Sequence, residues 1–253
     1  MKQIKADLHN HLATFLYKGS FNDVIDIAYK RLGSNGILSI TNGYDAKYED
    51  FLNLKTSYEK QDIGNAVYIP EKKILIIKGQ EVFTKQGHLL ILGLSKNINL
   101  KHNKNLEDSL KQAKDNNTII ISPHPFFIGG LGNYLIKNHR HLEYFHGIEI
   151  HNGEAFYGNE KAKDFYSLIK EDYNLGALSF SDGHSIKEIG SSYTLLEKPN
   201  LEPFEKLIES LKKSVQQHNK DFSKDEQSRS IRGALKHSIE WGLIDFLSKK
   251  SNN

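Results

Sequence analysis

The sequence contains no cysteine. Disulfides, cysteine-bound zinc and thiol nucleophiles are therefore excluded, and any metal must be held by imidazole and carboxylate. Net charge is equally scarce. The 34 Lys and Arg nearly cancel the 31 Asp and Glu, leaving +3, and the basic residues are mostly lysines scattered among acids, a field too weak for a nucleic-acid footprint. No uninterrupted apolar run reaches the length of a bilayer-crossing helix, and the opening MKQIKAD lacks the apolar segment of a signal peptide. A cytoplasmic protein with no membrane partner is the expectation.

What is present is enough chain for a continuous core. At 253 residues, with 38% apolar and 26% charged, the composition is polar but globular, and the length suits one large α/β barrel or two small domains. Short β-rich runs at 4–9, 36–41, 73–82, 88–94, 118–122, 147–151 and 177–181 alternate with stretches of helical spacing at 21–32, 45–60, 105–115, 154–172 and 202–217, the pattern of βα units. In the first helix Val24, Ile25, Ala28 and Leu32 share a face, with Asn22 or Asp23 as cap. No repeat, low-complexity tract or linker divides residues 1–200. After residue 218 the chain turns polar and then amphipathic, with Ile231, Leu235, Ile239, Gly242 and Phe246 at helical spacing. This predicts an appended helix, packed on the domain or in a contact between two copies of the chain.

The twelve histidines are informative by position. Asp7, His9 and His11 follow Ile4 at the end of the first β run, Glu81 closes the third, His124 follows the fifth, and Asp182 and His184 follow the last. The strands of a β/α barrel converge at their C-terminal ends, so these residues are expected on one rim. In an extended segment His9 and His11 point to the same side and can share a cation, with Asp7 placed to orient an imidazole from behind. His88 opens a strand, but Thr84-Lys85-Gln86-Gly87 reads as a hairpin turn that returns it beside Glu81. Pro123 and Pro125 stiffen the loop on either side of His124.

Together, DLHNH at 7–11, GQE at 79–81, HLL at 88–90, PHP at 123–125 and SDGH at 181–184 resemble the polymerase-and-histidinol-phosphatase (PHP) family, over roughly residues 4–212. The resemblance implies an α/β fold, a distorted (β/α)7 barrel over residues 1–215 with a helical extension at 216–253. It also implies a metal-dependent phosphoesterase. The first metal would take His9, His11, Glu81 and Asp182, and the second Glu81, His88 and His124, so that Glu81 bridges two divalent ions, Zn, Mn or Fe. Family members bind up to three metals. Here Asn42-Gly43 stands where the family has Asp-His, and Lys18 lies near another expected ligand, which leaves His184 as the third site's familiar residue and predicts two metals. His146 or His151 would restore a third if either reached the vacant place.

Two ions about 3.5–4 Å apart can share a hydroxide that attacks phosphorus. Asp182 would orient it, His184 would protonate the leaving alkoxide as general acid, and Lys18 would set an ammonium against the phosphate. Arg140, in a loop, is a further phosphate-binding candidate because of its planar fork. The expected substrate is a small phosphomonoester or a nucleotide-type phosphoester, with nucleic acid entering only as a nucleotide or oligonucleotide substrate. The alternatives are an amidohydrolase-like C–N hydrolase and a degenerate domain that binds metal or a partner without turnover.

Overall fold

The computed structural model describes residues 3–12, 19–43, 48–64, 66–200 and 204–218. The chain runs through β1 (Gln3–Asp7), α1 (Phe21–Leu32), β2 (Ile37–Ile40), α2 (Tyr48–Leu52), β3 (Gln61–Ile63), β4 (Ala66–Ile69), β5 (Ile74–Phe83) and β6 (His88–Leu92). It continues with α3 (Leu106–Asp115), β7 (Ile119–Ser122), α4 (Gly132–Lys137), a 3-10 turn (His139–Tyr144), β8 (Gly147–Asn152), α5 (Asn159–Ile169), β9 (Gly176–Phe180), β10 (Thr194–Glu197) and α6 (Phe204–Gln217). Among the described residues no helix is long and apolar enough to cross a membrane.

Seven strands, β1, β2, β5, β6, β7, β8 and β9, stand side by side in that order. Neighbours are parallel except β6, which runs against β5 and β7. The sheet curls until the segments after β1 and β9 meet: Asn10 bridges Gly183, and the His11 N–H donates to the Gly183 carbonyl at 2.8 Å. The result is the expected distorted seven-stranded barrel, its one reversed strand made possible by the tight β5–β6 hairpin. Thr84 closes that hairpin, its N–H and hydroxyl both donating to the Gly87 carbonyl at 3.0 and 2.6 Å.

Strand alternation sorts the side chains. Ile4, Ala6, Leu75, Ile77, Leu90, Leu92, Ile119, Ile121, Leu178 and Phe180 form one interior cluster, joined by Leu207, Leu211 and Val215 of α6. The intervening residues face outward into two further clusters, one under α1 and α2 and the other under α3, α4 and α5. Each fully buried Ile or Leu contributes about 1.5–3 kcal/mol. The interior is therefore a packed plug beneath the rim, and polar groups on the same inward parity emerge only at its top.

Several boundaries differ from expectation. Ser20 caps α1 and Asp23 is the reciprocal partner in a capping box, because a hydroxyl just before Phe21 reaches the free N–H groups that Asn22 and Asp23 already sit among. The helix expected at 45–60 is the short α2, after which β3 and β4 form an unexpected hairpin on the edge of β5. The helix expected from 154 begins at Asn159. Arg140, expected in a loop, lies on the 3-10 turn that follows α4, and β10 adds an antiparallel strand outside β1. Lys18 and the amphipathic stretch 231–247 lie outside the described residues.

Candidate metal centre

The inward parity that buries Leu75 and Ile77 also turns Glu81 inward, and the parity of Leu178 and Phe180 does the same for Asp182. His9 and His11 enter from the segment after β1, His88 from the start of β6, and His124 from the turn after β7. Six side chains thus converge. Nε2 of His9 and Nε2 of His11 are 3.2 Å apart, and both lie near Asp182 Oδ1, at 3.3 and 3.2 Å. His11 Nε2 is also 3.5 Å from Glu81 Oε2. On the other side of the same carboxylate, Glu81 Oε1 stands 2.9 Å from His88 Nδ1 and 3.0 Å from His124 Nε2.

This donor set fits a metal. Ligand atoms bound at about 2.0–2.2 Å to one tetrahedral ion stand roughly 3.3–3.5 Å from one another, which is close to the spacings of His9, His11, Asp182 and Glu81. Asp182 Oδ1 is buried and accepts no aligned hydrogen bond, although two imidazole nitrogens face it. A buried carboxylate oxygen in that condition is costly unless a cation completes it.

Glu149, which is fully buried in β8, explains how the imidazole lone pairs come to face inward. Its Oε1 is 3.4 Å from His9 Nδ1. A carboxylate can only accept, so Nδ1 carries a proton in either charge state, and the neutral ring presents its Nε2 lone pair to a cation. The other oxygen, Oε2, accepts the His124 N–H at 2.6 Å and Asn152 Nδ2 at 2.9 Å, and that same Asn152 amide donates to Asp182 Oδ2 at 3.1 Å. One carboxylate thus orders residues from three strand ends. His124 and Asp182 both take left-handed backbone, with φ of 25° and 51°, a strain of about 1–3 kcal/mol each that persists where surroundings hold it.

The electrostatics report a surplus of buried negative charge. Burial works against charge on His9, yet Asp182, Glu149 and Glu81 outweigh it and raise the ring to about 10. His124 is raised in the same way against burial, chiefly by Glu81. Burial also opposes the charge on both carboxylates, but His88, His124 and His9 hold Glu81 well below its usual range, and His9, His11 and His184 do so for Asp182. Cations, whether protons or metal ions, belong here.

His184 stacks on His11 with ring centroids 4.5 Å apart and lies at the pocket's edge. Its Nδ1 is 2.9 Å from the Asp182 carbonyl, which fixes a proton there. His184 joins two groups of ligand-type atoms, one with His11 and Asp182 and one with Glu154 and Glu188. His146 and His151 join neither. His146 Nδ1 accepts the Ile120 N–H at 3.0 Å, and a β-bulge between Glu149 and His151 breaks the alternation that would have turned His151 inward. At the family's other third-metal position, the Asn42 side chain clamps the backbone of Leu12, and a Cβ on Gly43 would stand 2.8 Å from the Phe83 ring.

Two expected roles fall elsewhere. Asp7 orients no imidazole: its oxygens accept Ser181 N–H at 3.0 Å, Ser181 Oγ at 2.6 Å and Gly190 N–H at 2.7 Å, because the barrel closes β9 against β1 and Asp7 meets that turn first. Burial raises its pKa to about 6 in spite of those bonds. Arg140 is exposed on the 3-10 turn, where its charge acts on Glu107 of α3, and it is not gathered with the buried ligands. Glu149 and Asn152 are the residues missed. The signal for Glu149 was an acid between two isoleucines in a β run, a place where a charge must have partners.

No family model matches the chain. An uncharacterised protein of Methanocaldococcus jannaschii is 28% identical over 132 residues, 50% of this chain and 53% of that protein. The chain therefore aligns with about half the length of that relative. Among solved structures, a two-domain protein of Bacteroides vulgatus containing a predicted PHP-like metal-dependent phosphoesterase superposes with a TM-score of 0.54 at 17% identity, over 85% of this chain and 63% of the other. Endonuclease Q bound to a 27-mer duplex with an abasic lesion gives 0.57 at 16% identity, and the lesion-specific endonuclease of Pyrococcus furiosus gives 0.58 at 18%. Both of these alignments cover 85% of this chain and 56% of the other. The barrel is of the PHP type.

Proposed function

We propose that this PHP-type barrel is a metal-dependent phosphoesterase, with His9, His11, Glu81 and Asp182 holding one divalent ion, Glu81, His88 and His124 a second, and Glu81 shared. The observation that carries the reading is the Glu81 carboxylate, whose Oε2 faces His11 at 3.5 Å while its Oε1 faces His88 and His124 at 2.9 and 3.0 Å. When bound, such ions supply an acidified water and positive charge against phosphoryl oxygens.

The chain's own groups supply the rest. Asp182 has Oδ1 directed into the first site and Oδ2 held by Asn152, so it can bind metal and orient a water with the same carboxylate. His184 keeps Nδ1–H on the Asp182 carbonyl in either charge state, so as imidazolium it can release its Nε2 proton to a departing alkoxide without turning. Two metals suit the pocket better than three, since Asn42 and Phe83 fill the place where the family carries an imidazole. The substrate class is a small phosphomonoester or nucleotide-type phosphoester. That one neighbour is an endonuclease bound to a duplex substrate favours the nucleotide type.

The test is to strip the purified protein with chelator and restore Zn2+, Mn2+ or Fe2+ singly while following hydrolysis of p-nitrophenyl phosphate and bis(p-nitrophenyl) phosphate. Activity should be absent in the stripped protein and return with metal. No phosphoester hydrolysis with any of the three ions, in a folded protein, would reject the proposal, and cleavage of amides instead would replace it.

A further inference from the structure

Beside the metal centre lies a patch of ring surface that hydrolysis alone does not require. The β8–α5 loop follows Asn152, which holds Asp182, and four and five residues on it reaches Phe156 and Tyr157, which are 51% and 50% exposed. Large aromatic side chains seldom stay half in water without a use for the surface. These two pack edge-on against each other at 5.1 Å between centroids and against Phe127 at 5.3 and 4.9 Å. Phe127 in turn meets the His124 ring edge-on at 6.2 Å. The aromatic triangle is thus continuous with a ligand of the second site. Exposed Ile128 extends it.

The shelf is built firmly. Gly158, at φ 95°, ends the loop where a Cβ would stand 2.6 Å from the Phe126 carbonyl oxygen, so the loop is drawn against the segment that carries Phe127. Asn159 secures the same loop by accepting the Asn152 N–H at 3.0 Å and donating to the Asn152 carbonyl at 3.1 Å. Even with these contacts, about half of each of the two outer residues remains open to solvent.

We infer that Phe156 and Tyr157, backed by Phe127, form a stacking shelf for a nucleobase carried by the substrate, which makes the substrate a nucleotide-type phosphoester and not a phosphate of an aliphatic alcohol or bare sugar. The inference rests on the phosphoesterase reading for the placement of the phosphate at the metals. Every base has a π-face, so stacking of this kind is tolerant of base identity, and it needs no basic groove of the sort this nearly neutral chain lacks.

The probes are adenosine 5′-monophosphate and ribose 5-phosphate, which differ only in the base, titrated by calorimetry into the full-length, metal-loaded protein. The nucleotide should bind about tenfold more tightly than the sugar phosphate. Phe156→Ala and Tyr157→Ala should each remove most of that preference while leaving ribose 5-phosphate binding unchanged, and Phe156→Trp should keep it. Equal binding of the two probes by the wild-type protein, failure of both to bind, or equal weakening of both by the alanine variants would overturn the shelf. Because the readout is base preference in binding, it stands apart from turnover. Hydrolysis without base preference sinks the shelf alone, and base preference without hydrolysis sinks the catalytic reading alone.

Discussion

Glu149→Gln isolates the role of the carboxylate behind His9. Gln has the same shape, but one of its two terminal atoms is now a donor, and Glu149 faces only donors: His9 Nδ1 at 3.4 Å on one side, His124 N and Asn152 Nδ2 at 2.6 and 2.9 Å on the other. With the amide nitrogen toward His124 and Asn152 there are two short donor–donor contacts, each worth about 1–3 kcal/mol. With it toward His9 there is one longer contact, which the ring relieves by moving its proton from Nδ1 to Nε2. The second arrangement wins. A metal on Nε2 requires the proton back on Nδ1, where it would now face an amide N–H instead of a carboxylate oxygen, so the metal-bound state loses its hydrogen-bond acceptor. Loss of such an orienting partner typically weakens binding 10–100-fold, about 1.4–2.7 kcal/mol. Competition with a chelating dye on stripped protein should therefore show two classes of Zn2+ site in the wild type and, in the variant, weakening of the tighter or looser class that contains His9 while the His88–His124 class holds. Affinities within twofold of wild type, or equal weakening of both classes, in a protein with unchanged circular dichroism, would refute the tautomer argument.

Replacing Glu81 with Gln touches both ligand groups directly, so hydrolysis should fall by more than the roughly hundredfold expected for an orienting partner, whereas replacing exposed Lys104 should change nothing; equal rates in the two variants would remove the shared carboxylate from the mechanism. Away from the site, burial and the nearby Lys212 ammonium push His146 down to about 4, and charging the ring would also protonate the Nδ1 that accepts the Ile120 N–H. A ring depressed on folding contributes stability that is complete above its unfolded value of about 6.5 and is lost as pH falls toward 4. At pH 5 the loss is at most about 2 kcal/mol, less because the ring is partly in water. Urea unfolding at pH 7.5 and pH 5 should show His146→Asn, which keeps an acceptor, with a shallower pH dependence than wild type; parallel curves would mean that His146 does not carry this linkage.

The barrel was legible because the seven β runs are dense in Ile and Leu and several of them run into His, Glu or Asp at or just past their ends. His9, Glu81, His124 and Asp182 could be read together because each interrupts an apolar run at a point where barrel strands converge. The missed elements have weaker local signals. The β3–β4 hairpin and β10 are held by pairing to β5 and β1, a tertiary cause with little trace in three or four residues. Asp7 was assigned by adjacency to His9, but its direction is set by the β9 turn across the barrel, a contact 174 residues away. The exclusion of His151 depends on a β-bulge, one extra residue in the ladder that reverses inward and outward beyond it, and alternation read along a single strand has no means of detecting it.

The central claim is that Glu81 joins two metal sites. Anomalous diffraction from metal-loaded crystals, with data above and below the absorption edge of the added ion, tests it most directly. Two strong peaks are predicted, one among His9, His11, Glu81 and Asp182 and the other among Glu81, His88 and His124, with water or a side chain beside His184. A single peak not touching Glu81, or no peak in the pocket, would contradict it, and a third strong peak on His184 with Glu154 and Glu188 would overturn the count of two metals.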